Sequence, residues 1–81
     1  MDIKEIYKEK ADILDFSSST EFMDYAYRQI MCANNTENAY EIGLEMTKIL
    51  RKFCKKHKCE DNYVILNTWL TYTIVSKVLE I

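Results

Sequence analysis

The stretch YVILNTWLTYTIV, residues 63–75, decides whether this chain folds from helices alone or includes a sheet. It is rich in β-branched and aromatic residues, which favour strands. Its apolar residues also recur at helical spacing. Those on one side of such a helix are Tyr63, Leu66, Leu70, Ile74 and Val78. The run is longer than an ordinary strand of about 3–10 residues, and no second strand is available to pair with it, so we predict a helix.

The rest of the chain also reads as helical. Among 81 residues there is one glycine and no proline, and the Asn-Gly and Asp-Gly pairs of tight hairpins do not occur. Apolar spacing and capping residues predict helices at about 3–14, 19–33, 36–57 and 62–79. The expected fold is therefore all-α: a single helical domain over residues 1–81, packed as a small four-helix bundle, with helix four apolar on more than one side.

Helical spacing also predicts which residues face the core. The expected inner face of helix two consists of Phe22, Met23, Ala26, Tyr27, Ile30 and Ala33, while Tyr25 points away. The expected inner face of helix three consists of Ala39, Ile42, Gly43, Met46, Ile49, Leu50 and Phe53. A glycine inside a helix costs about 1 kcal/mol relative to alanine, so we expect another helix to approach closely at Gly43.

Helix starts are predicted from side chains that can accept a hydrogen bond from a first-turn N–H group. Ser18 has Glu21 three residues later, which is the spacing of a capping box. Asn34 or Asn35 is expected to cap helix three. Asp61 or Asn62 is expected to cap helix four.

Composition and charge restrict the function classes. The net charge of −2 disfavours a protein whose main task is binding phosphates. No apolar run could span a membrane, and the charged start does not resemble a secretion signal, so a cytoplasmic protein with three reduced cysteines is expected. Lysine, isoleucine, asparagine and tyrosine are abundant, and their AT-rich codons favour a phage or low-GC bacterial source.

The segment KFCKKHKCED, residues 52–61, contains more potentially reactive and metal-binding side chains than any other stretch of the chain. A metal site here would use Cys32, Cys54, His57 and Cys59. The C-x2-H-x-C spacing matches no common zinc template, so no metal or other cofactor is expected. A Cys54–His57 nucleophile pair would lack an orienting third group and an oxyanion hole. We therefore predict that the chain is not an enzyme.

The same segment carries a basic face made of Arg51, Lys52, Lys55, Lys56 and Lys58. Five cations on one side of a helix could contact several phosphates. However, Glu41 and Glu45 are expected to continue this face and would repel a nucleic-acid backbone. His57 falls on the opposite, buried side of the helical wheel. The segment reads mainly as a solvated helix end whose lysines complement the helix dipole, with nucleic-acid binding as the alternative.

Two apolar surfaces remain without an assigned place in the core. On helix four, a second apolar set consists of Ile65, Trp69, Tyr72, Val75 and Leu79. This set is either enclosed because helix four is central, with Trp69 capping the core, or it contacts another chain. On helix three, a line away from the inner face consists of Tyr40, Leu44, Thr47 and Arg51. Tyrosine and arginine are common anchors of protein interfaces.

These surfaces predict a non-enzymatic protein-binding module. It would be a small inhibitor or accessory factor, encoded by a phage or another mobile element, that blocks a protein target by covering it. The predicted interface residues are Tyr40, Leu44, Thr47, Arg51, Ile65, Trp69 and Tyr72. The alternative is a homodimeric nucleic-acid-associated regulator that dimerises through helix four and uses the basic face. No membrane partner is expected.

Overall fold

The computed structural model describes residues 2–81 and contains four helices within that range. They are α1 (Ile3–Ile13), α2 (Ser19–Met31), α3 (Thr36–Lys56) and α4 (Glu60–Glu80). No strand occurs between residues 2 and 81, so the helical interpretation of residues 63–75 and the predicted all-α four-helix bundle are confirmed. The Cα radius of gyration is 12.1 Å, close to the about 11.7 Å of a compact chain of this length.

The third helix is the central element. It contacts α1, α2 and α4, whereas α4 contacts α2 and α3. Helix α1 packs mainly against α3 and reaches α2 through the Tyr7 hydroxyl, which donates to Gln29 Oε1 at 2.5 Å. The interpretation that helix four is central is therefore wrong. Helix α3 fills this place because its buried residues extend from Ala39 to Cys54 and occupy more than one side of the helix. Helix α4 consequently lies at an edge of the bundle.

Large apolar side chains from α2, α3 and α4 meet in one core. The largest side chains with almost no exposure are Phe22, Ile30, Met46, Leu50 and Leu70. Phe16, in the linker between α1 and α2, closes one end of this core. Its ring centroid lies 5.7 Å from that of Phe22 and 6.2 Å from that of Phe53, at nearly perpendicular angles. Edge-to-face aromatic packing of this kind stabilises the core beyond simple burial.

Two of the predicted helix starts are confirmed by side-chain caps. The Ser18 hydroxyl accepts a hydrogen bond from the Glu21 N–H at 3.2 Å. The side-chain Oδ1 of Asn35 accepts one from the Asn38 N–H at 2.8 Å. The carboxylate of Glu21 accepts from the Ser17 N–H at 2.6 Å, one residue earlier than in the usual reciprocal arrangement.

The fourth helix starts differently from the prediction. It begins at Glu60, directly after Cys59, and has no side-chain cap. The prediction that Asp61 or Asn62 caps it is therefore wrong. The preceding turn ends α3 with two backbone hydrogen bonds, from Cys59 N–H to Cys54 C=O at 3.0 Å and from Lys58 N–H to Lys55 C=O at 3.4 Å. Lys58 adopts a positive φ of 52°, so the turn is a Schellman motif that leads straight into α4.

The two tyrosines of α2 are placed opposite to the prediction. Tyr27 is exposed, whereas Tyr25 is half-buried with its ring centroid 5.5 Å from that of Phe16. Phe16 folds back over the side of α2 that carries Tyr25, and helical spacing alone contains no information about this linker. The Tyr25 hydroxyl is buried and has no hydrogen-bond partner among residues 2–81.

The glycine in the middle of α3 marks the closest approach of α4. A Cβ atom added at Gly43 would lie 2.7 Å from Cγ1 of Ile74, and closer still to its Cδ1. The expectation that another helix approaches at Gly43 is confirmed. The glycine leaves room for the Ile74 side chain of α4 against the backbone of α3.

Candidate functional site

The outer side of α4 carries five of the ten exposed large hydrophobic residues within residues 2–81. We name it the α4 face and define it as Val64, Ile65, Thr68, Tyr72, Val75 and Leu79. Exposure is 68% for Val64, 69% for Ile65, 73% for Tyr72, 45% for Val75 and 81% for Leu79. At 100° per residue these positions share an arc of about 100°. No charged residue occurs from Asn62 to Ser76, so the α4 face is apolar over most of its length.

Threonine hydroxyls of α4 are satisfied within the helix. Thr68 donates to the Val64 carbonyl at 2.8 Å, and Thr71 donates to the Asn67 carbonyl at 2.9 Å. Hydroxyls bonded in this way to the preceding turn do not need a partner from outside. Contact with the α4 face would therefore be stabilised mainly by burial of apolar area.

The α4 face is uncovered because only two helices reach α4. The neighbours α2 and α3 bury Leu66, Leu70 and Thr73 on the opposite side. A helix with apolar residues on most of its circumference needs more neighbours than this to be enclosed. The prediction that helix four is apolar on more than one side is confirmed. Val64 was not among the predicted interface residues, although its place in the charge-free run could have identified it.

Trp69 occupies the border between the core and the α4 face. It is half-buried and packs against the core cluster, so it covers one edge of the core next to α2. Beside it, a shallow cleft of about 260 Å³ runs between α2 and α4. Trp69, Tyr27 and Tyr72 line this cleft. The cleft extends the apolar surface of α4 toward α2 with aromatic rings.

Of the four predicted interface residues on α3, two are exposed without a side-chain hydrogen bond inside residues 2–81, and two form hydrogen bonds within the chain. Tyr40 and Leu44 are exposed large hydrophobic residues. The Thr47 hydroxyl donates to the Gly43 carbonyl at 3.1 Å, and Arg51 Nε donates to the Tyr63 hydroxyl at 3.1 Å. Of the four residues, Tyr40 and Leu44 therefore offer apolar surface without giving up an internal hydrogen bond.

The basic face is partly neutralised by acidic residues near the end of α1. Lys52 Nζ lies 2.9 Å from an oxygen of Asp12, and Lys56 Nζ lies 2.9 Å from an oxygen of Asp15. The hydrogen bond from Lys52 lowers the pKa of Asp12, and the hydrogen bond from Lys56 lowers the pKa of Asp15. These pairs are exposed and contribute little to stability. They still reduce the positive field that a phosphate would meet.

The remaining two lysines of the basic face and one glutamate expected to continue it are placed as follows. Lys55 and Lys58 are exposed and form no ion pair within residues 2–81. Glu45 lies on the same side of α3 as Lys52, as predicted, but it is not part of the solvated surface. It is buried and pairs with Lys48 at 3.0 Å, because α1 packs over that side of α3.

The cysteines and the histidine are not gathered into one site. Cys32 is exposed and Cys54 is buried. Burial, and then the neighbouring Cys59 thiol, raise the pKa of Cys54 to about 11, which disfavours the reactive thiolate.

His57 lies on the predicted side of α3, with its ring centroid 4.7 Å from that of Phe53. It is not buried as predicted, because its side chain is 35% exposed, and its Nε2 lies 3.7 Å from an Asp15 oxygen. Within residues 2–81 no three His, Cys, Asp or Glu side chains are grouped to hold a metal ion.

Comparisons with known proteins add no family to this description. No family model, curated protein or solved structure is significantly similar to this chain. None of the helices within residues 2–81 has the length and hydropathy needed to cross a membrane. The inference of function therefore rests on the surfaces described above.

Proposed function

We propose that this chain is a non-enzymatic, cytoplasmic protein-binding module that contacts other proteins through apolar surfaces on α3 and α4. The observation that carries the proposal is the α4 face, a charge-free apolar surface that no other helix covers. Large uncovered apolar patches on small soluble domains are typical of interaction sites. The free cysteines are consistent with a reducing compartment.

The side chains on these surfaces are of the types that anchor protein interfaces. Tyr72 and Tyr40 present large rings, and Leu44 adds an aliphatic side chain on α3. Full burial of an aliphatic side chain contributes about 1.5–3 kcal/mol. Aromatic residues are enriched among those that dominate binding energy. Micromolar binding corresponds to about 8 kcal/mol, and association itself costs about 4–15 kcal/mol, so several such contacts would be needed together.

The proposed mechanism is occlusion of a protein target. The exposed apolar surfaces carry no nucleophile or paired acid and base, so the chain would act by covering a surface of its partner. An inhibitor or accessory factor of a phage or another mobile element fits this role. A chain of this size would be large enough to block a target, because one helix face can fill a groove on the target's surface.

Affinity capture from the source cell tests the proposal. The wild-type chain should retain a defined protein, and Leu44→Asp or Tyr72→Asp should reduce its recovery at least tenfold. Ile13→Asp is the matched control, because Ile13 is equally exposed but lies on α1, which does not contact α4. Equal recovery with all three variants, or no retained protein, would contradict the proposal.

Salt dependence separates protein binding from the nucleic-acid alternative. Retention through apolar surfaces should change little with ionic strength, whereas phosphate contacts weaken steeply as salt rises. The exposed Lys55 and Lys58 support the alternative, and the pairing of Lys52 and Lys56 with Asp12 and Asp15 weakens it. Salt-sensitive binding of DNA or RNA that is lost in a Lys55→Glu, Lys58→Glu variant would favour the alternative.

A further inference from the structure

The α4 face has the periodicity of a helix-pairing surface. Ile65, Tyr72 and Leu79 are seven residues apart. Beside them, Val64, Thr68, Thr71 and Val75 follow with steps of four, three and four residues. Alternating steps of three and four are typical of a seam between paired helices. A partner helix with the same spacing would fit this face along its whole length.

The charge distribution favours an antiparallel arrangement of two such helices. All charged residues of α4 lie outside the run from Asn62 to Ser76, with Glu60 and Asp61 in the first turn. A parallel pair would place the acidic first turns of both copies side by side. An antiparallel pair instead places each acidic first turn beside the last turn of the other copy, which carries both Lys77 and Glu80, and it aligns the helix dipoles favourably.

An antiparallel register exists in which apolar residues meet apolar residues. If Thr71 and Tyr72 lie at the centre, Val64 of one copy faces Leu79 of the other, and Thr68 faces Val75. The same contacts then occur twice, related by a two-fold axis. An interface of this kind is self-complementary, as in most homodimers.

The exposed area is at the lower limit for a specific dimer. A fully exposed aliphatic side chain offers about 100 Å² and a tyrosine about 200 Å². Scaled by their exposure, the five large side chains of the α4 face offer about 400 Å² per copy, so a pair would bury about 800 Å². The threonines and neighbouring backbone bring the total near the about 1,000 Å² of small specific interfaces. The expected dimer is therefore weak, with a micromolar dissociation constant.

We propose that the occupant of the α4 face is a second copy of this chain, bound antiparallel about a two-fold axis near Thr71 and Tyr72. This inference rests on the proposed function in that it takes the α4 face as a protein-binding surface. A different protein is the less favoured occupant, because the face carries no charge that would select one foreign partner over another. Tyr40 and Leu44 on α3 then contact the target, and the loss of target recovery expected for Tyr72→Asp would follow from loss of the dimer.

Sedimentation equilibrium from micromolar to millimolar concentration tests the proposal. The wild-type mass should rise from 9.7 kDa to twice that value. Tyr72→Glu and Val75→Glu should stay at the mass of one copy, with unchanged helical circular dichroism because both side chains are exposed. Ile13→Glu should dimerise like the wild type. A wild-type chain that remains monomeric throughout the range would overturn the proposal.

Engineered cysteines test the antiparallel register. In a Cys32→Ser background, which removes the exposed native thiol, Tyr72→Cys should form covalent dimers with oxidised glutathione. Val64→Cys should link to Leu79→Cys in a mixture but not to itself. Efficient self-linking of Val64→Cys would overturn the antiparallel arrangement.

The two proposals fail in different ways. A monomeric wild type that captures a target in a Tyr72-dependent manner would overturn the second copy as occupant and support the protein-binding function. A wild-type dimer that captures no target would support the second copy and overturn the occlusion of a target.

Discussion

Lys58 occupies a backbone position that usually belongs to glycine. It is the residue after the cap of α3, its φ is 52° and its N–H closes one of the two hydrogen bonds of the Schellman motif. A residue with a Cβ atom in this conformation is strained by about 1–2 kcal/mol. The position therefore stores strain in the turn that sets the direction of α4.

We expect Lys58→Gly to raise the free energy of unfolding by about 0.5–1 kcal/mol. The relief of strain exceeds the entropy that glycine adds to the unfolded chain. Urea unfolding followed by circular dichroism measures the change. Lys58→Ala is the matched control, since it removes the charge but keeps the Cβ atom, and it should give no gain. A gain of equal size in both variants would contradict the explanation.

Two buried acids with raised pKa values predict a loss of stability at alkaline pH. Burial raises the pKa of Tyr7 from 10.0 to about 12, and burial raises that of Cys54 from 9.0 to about 11. Both groups stay protonated in the fold after the unfolded chain has lost these protons. Their contribution is therefore complete below pH 9 and falls as the pH rises through 9–12.

Urea unfolding at a series of pH values checks this prediction. The free energy of unfolding should decline steadily above pH 9. The Cys54→Ala variant starts from a lower stability, because it loses buried volume, but its decline between pH 9 and 11 should be shallower than that of the wild type. Parallel pH profiles for the two proteins would show that Cys54 does not contribute.

At the scale of elements, the contact between α3 and α4 depends on one small residue. Gly43 lets Ile74 of α4 lie against the backbone of α3. The helix-propensity cost of this glycine, about 1 kcal/mol, is offset by the closer packing of α4. Moving α4 outward would expose Leu66 and Leu70, whose burial stabilises the bundle.

A double-mutant cycle tests this packing. We expect Gly43→Ala to destabilise the wild-type fold by about 1 kcal/mol, since the clash with Ile74 exceeds the gain in helix propensity. In an Ile74→Ala background, the same substitution should stabilise by up to about 1 kcal/mol, because the clash is absent. Equal effects in both backgrounds would contradict close packing of Ile74 on Gly43.

At the scale of the whole molecule, four helices leave one helix only partly enclosed. The central place of α3 gives it three neighbours and gives α4 two. A domain of this size buries only about 60–65% of the surface of its unfolded chain. Further burial at the α4 face would therefore add substantially to a small net stability.

The proposed dimer predicts a stability that depends on protein concentration. Because folding and association are coupled, a tenfold rise in concentration should stabilise the dimer by up to about 1.4 kcal/mol. Thermal or urea unfolding at micromolar and millimolar concentration measures the shift. The Tyr72→Glu variant should unfold at the same midpoint at both concentrations. A midpoint of the wild type that does not move would contradict the coupling.

The sequence by itself determined the local features of this protein. Helical spacing and the absence of breakers were sufficient for the four helices, for Ser18 as the cap of α2, for Asn34 or Asn35 as the cap of α3, and for an α4 with apolar residues on more than one side. The exposure of Tyr40 and Leu44 also followed, because both residues lie off the inner face of helix three, whereas the sequence left open whether Ile65 and Tyr72 are enclosed. Such features depend on residues within a few turns of one another.

Only the tertiary structure decided which helix is central and which side of α4 is uncovered. Tertiary packing also places Tyr25 and Tyr27 opposite to the prediction. Glu45 is buried and His57 is exposed. Thr47 and Arg51 form hydrogen bonds within the chain. Helical periodicity shows which side of a helix is apolar but not which neighbour covers it. That choice depends on contacts between distant segments, such as Gly43 with Ile74 and Phe16 with Tyr25, and on the free energy of packing all four helices together.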